Sequence, residues 1–156
     1  MDELIAVAAD KYEIPRALVK AIVAVESGGN PWAVRYEPKF FEKYVENAQI
    51  TTKSPCSEAT ERSLRAHSFG LMQIMGQTAR ETGFEGVFLT ELLDPATNLD
   101  ICCKYLGRLV GRYFDECGWR GVVSSYNAGS VRYRPGTKVF VNQPYVDKVM
   151  SRMERA

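Results

Sequence analysis

The chain has 156 residues, 46% of them hydrophobic, with 20 basic and 19 acidic side chains and a formal charge of +1 at pH 7. That length can bury one core without covalent staples, and so even a charge balance excludes nucleic-acid binding driven by a strong net positive field. No apolar run approaches the ~20 residues of a membrane span. With His67 as the lone histidine, and four cysteines of which Cys102 and Cys103 are adjacent, there is little material for a zinc site or a histidine-based triad. His67 reads as structural or solvent-exposed, and the cysteines read as small apolar packing groups, with a Cys56–Cys117 disulfide left open. Met1-Asp2-Glu3 is acidic where a secretory signal would be basic. The expectation is either a trimmed mature domain or export without a classical signal.

Residues 2–13 predict a first helix, with Leu4, Ile5, Ala8 and Ala9 at helical spacing. Pro15 opens a second helix that runs to about Ser27 and ends at Gly28-Gly29. Residues 37–48 (EPKFFEKYVENA) predict a third. The polar, turn-rich stretch 51–63 predicts a surface loop with a short helix. The apolar run LMQIM lies in 70–82 and precedes a short helix from Gln77. The clearest helix is 95–115: Asp94 is its N-cap, Pro95 its first residue, and Cys102, Leu106, Leu109 and Tyr113 recur at i, i+4, i+7 and i+11. Another short helix runs from Trp119 to Tyr126. Residues 131–144 predict a loop or hairpin-like excursion, and Tyr145–Arg155 a closing helix. No repeat, linker or low-complexity tract interrupts the chain, which reads as a single mainly α domain with at most one small β element.

One acid stands out. At about 100° per residue, Glu26 lies roughly 40° from Ile22 and roughly 20° from Val19, inside the apolar sector of its own helix. Lost solvation disfavours the charged carboxylate, and the negative end of the helix dipole acts in the same direction. Both favour a carboxylic acid that stays protonated near neutral pH, as a general acid must. The alternative is a side chain that turns outward at a frayed helix end, and position alone leaves both readings open.

Two further segments depart from ordinary core patterns. In SFGLMQIM (68–75), Gln73 is a hydrogen-bonding amide among apolar neighbours and needs partners. In SSYNAG (124–129), Tyr126 offers a stacking face and a hydroxyl, and Asn127 a donor and an acceptor, which is equipment for holding a sugar ring. Singly, each also has a structural reading: Gln73 as a satisfied core amide, Tyr126 as core, Asn127 as a C-cap.

In this order, ESGGNP, GLMQIM, SYNAG and YVDKVMSRM resemble the motif series of the soluble lytic transglycosylases of the lysozyme superfamily, over roughly residues 15–152. The four together are specific where any one alone is weak. The resemblance implies a mainly helical, lysozyme-like domain with a peptidoglycan-binding cleft. It implies Glu26 as the catalytic acid, Gln73 and Met75 lining the sugar subsites, Tyr126 and Asn127 across the cleft, and Tyr145 holding the C-terminal helix against the site. No metal or cofactor is implied. The partner would be peptidoglycan glycan strands, met by a monomer in the periplasm or cell envelope, with a place in a phage or envelope assembly open.

Some positions depart from the family pattern. Gly76 stands where Pro is common, Ser125 replaces an Ala, and Val141-Asn142-Gln143-Pro144 lacks a glutamate often found before the matching Tyr. Residues 35–67 exceed the expected link between the first two motifs, which predicts an inserted helix and loop shaping one wall of the groove. Two rival functions remain. An inverting hydrolytic muramidase would pair Glu26 with a second carboxylate about 6.5–9.5 Å away, for which Glu37 is the candidate, its alternative being an acid at a helix N-terminus before Pro38. The other rival is a non-catalytic wall-binding or structural module.

Overall fold

Helix α1 (Asp2–Lys11) begins with Asp2 and Glu3 in its first turn and ends with Lys11 in its last, so each charge opposes the local sign of the helix dipole. Its buried stripe is Ile5, Ala8 and Ala9, whereas Leu4, which shares the same spacing, is partly exposed. An ion pair of Arg16 with Asp10 spans the turn into α2 (Arg16–Glu26). Leu18, Val19, Ala21, Ile22 and Val23 are its buried positions.

Strand β1 (Val34–Tyr36) follows, then α3 (Pro38–Phe40), which runs directly into a π-helical turn, Phe41–Val45. A regular helix was the expectation over 37–48. The geometry differs from that expectation in its i→i+5 bond, Glu46 N–H donating to the Phe41 carbonyl at 2.9 Å, and Arg62 gathers the carbonyls at the end of this segment. Its Nη1 donates to Val45 at 2.8 Å and to Glu46 and Ala48 at 2.9 Å each. Arg62 comes from α4 (Glu58–Arg65), the short helix expected in the polar stretch, whose N-cap Ser57 Oγ accepts from Thr60 N–H at 3.1 Å.

Strands β2 (His67–Phe69) and β3 (Ile74–Met75) complete an antiparallel sheet of order β1-β2-β3, with Val34 opposite Phe69, Arg35 opposite Ser68 and Ser68 opposite Met75. Then come α5 (Gly76–Thr82), a 3-10 turn (Leu89–Leu93), α6 (Pro95–Ala128) and α7 (Gln143–Met153). Asp94 caps α6 as expected, its Oδ2 accepting from the N–H and hydroxyl of Thr97 at 2.8 Å each. Gly118 interrupts α6 at φ 58°, ψ −165°, so the two helices expected on either side of it are the limbs 95–117 and 119–128. Only a residue without Cβ adopts that backbone cheaply. Residues 131–142 form the hairpin-like excursion: Tyr133 bridges Phe140, their rings stack at 5.0 Å, and Val141 N–H donates to the Arg132 carbonyl at 3.0 Å.

The computed structural model describes residues 1–155, in two compact units. One holds Met1–Val25 and the chain from Cys103 onward, and the other is Glu26–Cys102. Buried apolar side chains of the first include Ile5, Leu18, Val19, Ile22, Leu106, Val122, Val123, Val146 and Val149. Those of the second include Val45, Phe69, Leu71, Met72, Ile74, Leu89, Leu92 and Leu99. The class is mainly α with one small sheet, as the sequence indicates. All four cysteines are free thiols, so the Cys56–Cys117 bridge that the sequence left open is not formed. His67 is half-buried, with Nδ1 2.8 Å from the Ser63 carbonyl and its ring 5.0 Å from Tyr36, a structural placement. Among the described residues no helix is long and apolar enough to cross a membrane.

The second unit holds a charged cluster that periodicity did not flag. Glu61 of α4 is 1% exposed and takes bonds from Arg65 Nε at 2.9 Å, Arg80 Nε at 2.8 Å and Arg80 Nη2 at 3.0 Å. Arg80 also donates to the carbonyls of Phe84 at 3.0 Å and Gly86 at 2.7 Å, tying the chain after α5 to α4. Burial pushes the Glu61 carboxyl up, but the hydrogen bonds and charges of Arg80 and Arg65 outweigh it, and the net shift is below the ordinary glutamate value of 4.5. A carboxylate depressed on folding stabilises the fold above its unfolded pKa, and that contribution is lost as pH falls through its folded pKa. Glu61→Gln should therefore cost about 3–5 kcal/mol at neutral pH by leaving two guanidinium groups without their counter-charge. Urea midpoints should show the gap to wild type narrowing on acidification below the ordinary glutamate range. A gap independent of pH would mean that Glu61 carries no charge in the fold.

Candidate active site

Glu26 is the last residue of α2, half-buried, and the residue at which the chain passes from one unit to the other. Immediately after it, Ser27 Oγ donates to the Leu71 carbonyl at 2.7 Å and accepts from Gly29 N–H at 3.2 Å. The end of the acid-bearing helix is thus fastened to the turn 70–73 that joins β2 to β3. The first two sequence motifs meet here.

That turn is built on two strained residues. Gly70 has φ +71°, and a Cβ there would stand 2.5 Å from Asn98 Nδ2 and 2.8 Å from the Leu92 carbonyl, so only glycine fits. Gln73 has φ +51°, a left-handed conformation that costs a non-glycine residue of order 1–3 kcal/mol. Its side chain supplies compensation. Nε2 donates to the carbonyls of Gly70 at 2.9 Å and Ala33 at 3.0 Å, and Oε1 accepts from Ser68 Oγ at 2.9 Å. Both amide hydrogens are therefore committed to main chain, and what Gln73 retains for a ligand is one lone pair on Oε1. Met75, half-buried, ends β3 and occupies the N-cap position of α5.

Beneath the turn lies Asn98, with no exposed surface. Its Nδ2 donates to the carbonyls of Phe69 and Leu92 at 2.9 Å each, and its Oδ1 accepts from Met72 N–H at 3.0 Å. Two main-chain groups of the turn and one of the 3-10 segment 89–93 are satisfied by one amide. Asn98 was not among the residues singled out from the sequence. The signal was present: extending the Cys102–Leu106 stripe back by four residues lands on it.

Glu37 stands at the start of α3 but does not cap it with its side chain, which pairs with Arg35 Nε at 2.5 Å and is 34% exposed. Trp32 and Tyr36, in the segment after the acid, are 74% and 47% exposed. Exposed aromatic faces of this kind are stacking surfaces.

In the other unit the third and fourth motifs meet through Asn142. Its Nδ2 donates to the Ser124 carbonyl at 3.0 Å and to Asn127 Oδ1 at 2.9 Å, and its Oδ1 accepts from Ser124 Oγ at 2.7 Å. Tyr145 N–H donates to the Asn142 carbonyl at 3.0 Å. Asn127 is exposed and, among the described residues, its Nδ2 has no protein partner. The half-buried Tyr126 ring lies 5.6 Å from that of Tyr105 at 45°. Asn142 belongs to the stretch that lacks the family's glutamate, and it is the residue that orders this part of the fold. The predicted site residues are thus brought together as two groups, Glu26 with Gln73, and Asn127 with Tyr145, each within its own unit.

A mainly helical chain with one small antiparallel sheet has the class of fold that the motif series implied. The chain belongs to the transglycosylase SLT domain family, whose family model matches residues 3–139. It is 31% identical over 118 residues to the membrane-bound lytic murein transglycosylase E of Buchnera aphidicola subsp. Acyrthosiphon pisum (strain APS), a match that covers 72% of this chain and 40% of that relative. The chain thus spans about two fifths of the length of that curated protein. Asn142 and Tyr145 lie beyond the residues matched by the family model.

Two glycines with the same backbone separate conformational from steric demands. Gly70 and Gly136 have φ of +71° and +70°, but a Cβ at Gly136 meets nothing within 4 Å. Gly136→Ala should cost about 1–2 kcal/mol from left-handed strain alone. Gly70→Ala should cost that and a further ~1–3 kcal/mol from overpacking against Asn98. Equal losses in thermal or urea unfolding would mean that the close approach of Asn98 is not constraining.

Proposed function

We propose that this chain is one lysozyme-like domain that acts as a peptidoglycan lytic transglycosylase, cleaving the β-1,4 linkage between N-acetylmuramic acid and N-acetylglucosamine with formation of 1,6-anhydro-muramoyl ends. The observation that carries the reading is the attachment of the Glu26 helix end to the Gln73 turn through Ser27 and the Leu71 carbonyl. A general acid must be held within hydrogen-bond reach of the bond it protonates, and a braced helix end does this better than a free loop. The family membership and the murein transglycosylase relative support the same substrate class.

In this mechanism Glu26 protonates the glycosidic oxygen, and the substrate's own N-acetyl group stabilises the cationic centre at C1, as in substrate-assisted glycosidases. Glu26, now ionised, takes the proton from the muramoyl 6-hydroxyl, whose oxygen closes on C1. The carboxyl group ends as it began and no water is consumed. Gln73 and Met75 line the sugar subsites, Gln73 accepting through Oε1, while Asn127 donates from Nδ2 and Tyr126 offers its ring and hydroxyl. Tyr145 supports the C-terminal helix, and the segment 35–67 forms one wall of the groove. The domain works as a monomer on glycan strands in the cell envelope.

Hydrolysis by an inverting pair, Glu26 with Glu37, is the rival within the same fold. Glu37 is already paired with Arg35, and in the transglycosylase reading it binds substrate or orders the segment around it.

Glu26→Gln should abolish turnover of purified peptidoglycan while preserving fold and glycan binding, and retention of more than a few per cent of the rate would remove Glu26 from the chemistry. Tyr126→Phe and Asn127→Ala should each lower kcat/KM, by up to ~100-fold where an orienting contact is lost, with little change in melting temperature. Glu37→Gln should slow the reaction only modestly and leave anhydro-muramoyl products. If mass spectrometry finds reducing ends, each heavier by one water, and Glu37→Gln is slower by about 10²–10⁴-fold, the enzyme is a muramidase.

A further inference from the structure

In the first unit, α2 and α7 enclose an open groove of about 500 Å³ lined by Lys20, Ala21, Ala24, Lys148, Ser151, Arg152 and Arg155. Four of the seven lining residues are cationic and none is acidic. The chain as a whole carries only +1, so this is a local concentration of positive charge in a balanced molecule. Lys20 pairs with Asp2 at 2.9 Å, a solvent-exposed contact of the kind that contributes little and is readily displaced. Among the described residues no carboxylate pairs with Lys148, Arg152 or Arg155; Arg155 Nη2 donates to Ser151 Oγ at 2.6 Å. Ala24, with the buried Ala21 beside it, forms a low apolar floor that has Lys20 on one side and the three cations from Lys148 to Arg155 on the other. Lys148, Ser151 and Arg152 share one face of α7 at i, i+3 and i+4, and Arg155 continues that line past the helix end, so the charges extend over about 10 Å at ~1.5 Å per residue.

We propose that this groove docks an acidic, amphipathic segment of a partner protein, its small apolar side chains over Ala21 and Ala24 and its carboxylates against the cationic walls. The occupant follows from the form of the charge. A compact phosphate needs donors that converge on one point, whereas the cations here are strung over about 10 Å in the later turns of α2 and α7, where the dipole is negative. An anionic bilayer is met by protruding basic and large apolar side chains, whereas the surface here is concave and its apolar lining is alanine. A row of cations along two helical turns beside a floor of small residues matches a helix laid in a groove, with acids spaced along one edge. The site does not rest on the proposed transglycosylase activity and would persist in a catalytically idle chain.

The test uses a fluorescein-labelled helical peptide with Glu along one face and Ala along the adjoining face, titrated with the protein in a fluorescence polarisation assay. Lys148→Glu/Arg152→Glu should weaken binding at least ~10-fold, whereas Arg134→Glu/Lys138→Glu, which changes net charge equally on the exposed 131–142 excursion, should leave it within about twofold of wild type. Ala24→Gln, which fills the floor and keeps every charge, should also weaken binding. Peptidoglycan turnover by both charge-reversal variants should match wild type, and melting temperatures establish that they fold. Because Lys148 and Arg152 are exposed, folding should survive; if the reversed pair does not fold, Ala24→Gln carries the same decision. Equal losses in the two charge-reversal variants, unweakened binding in Ala24→Gln, or no measurable peptide binding would overturn the proposal. So would displacement of the peptide by inorganic pyrophosphate at comparable concentration, or tight binding to phosphatidylglycerol vesicles in place of the peptide.

Discussion

The turn to which the end of the Glu26 helix is fastened is held from beneath by one buried amide. Asn98 satisfies the Phe69 and Leu92 carbonyls and the Met72 N–H from a position with no solvent contact. An unmet main-chain group in that position would cost of order 1–3 kcal/mol, and Asn98 meets two in the turn and one in the 3-10 segment 89–93. Once closed, the turn admits only glycine at position 70 and forces Gln73 to a positive φ. Gln73 then spends its amide hydrogens on Gly70 and Ala33, and the Leu71 carbonyl is left facing the Ser27 hydroxyl. The brace on the Glu26 helix is the last link of a chain of bonds that starts at Asn98.

The same device recurs in the other unit. Asn142 uses donor and acceptor together on Ser124 and holds Asn127 with its remaining hydrogen, while its own carbonyl receives the first turn of α7. In both places an asparagine side chain replaces backbone pairing where the chain bends beside residues proposed to meet the glycan. A site held in this way is precise, because each amide can satisfy its neighbours in only one orientation.

Charge is handled differently in its two main concentrations. Around Glu61 the ionic groups are buried and mutually satisfied, and the two arginines fasten α4 to the chain after α5. Along α2 and α7 the cations face solvent over an alanine floor without acids among them. The first arrangement is internal support and would lose its value if opened. In the second, Lys148 and Arg152 have no carboxylate partner among the described residues, which is the property expected of a surface that meets another molecule.

The sequence by itself determined most of the helices and the family. Apolar spacing located α1, α2 and the first limb of α6, and Asp94-Pro95 marked the start of α6, whereas the break at Gly118 was defined by its backbone in the fold. The motif series pointed to Glu26, and through it to the family. Periodicity could not reach the rest, because it records which face is apolar and not which polar group answers which. The carbonyls that end the π-helical segment are held by Arg62, which is distant along the chain and close only once folded. The roles of Asn98, Asn142 and Glu61, and the use of Gln73 as a clamp with one acceptor to spare, required the positions of main-chain groups from other segments. The cationic groove needed α2 and α7 side by side, since neither helix carries the pattern alone. These features were left to the tertiary structure because hydrogen bonds and ion pairs are satisfied between partners that the linear order keeps apart.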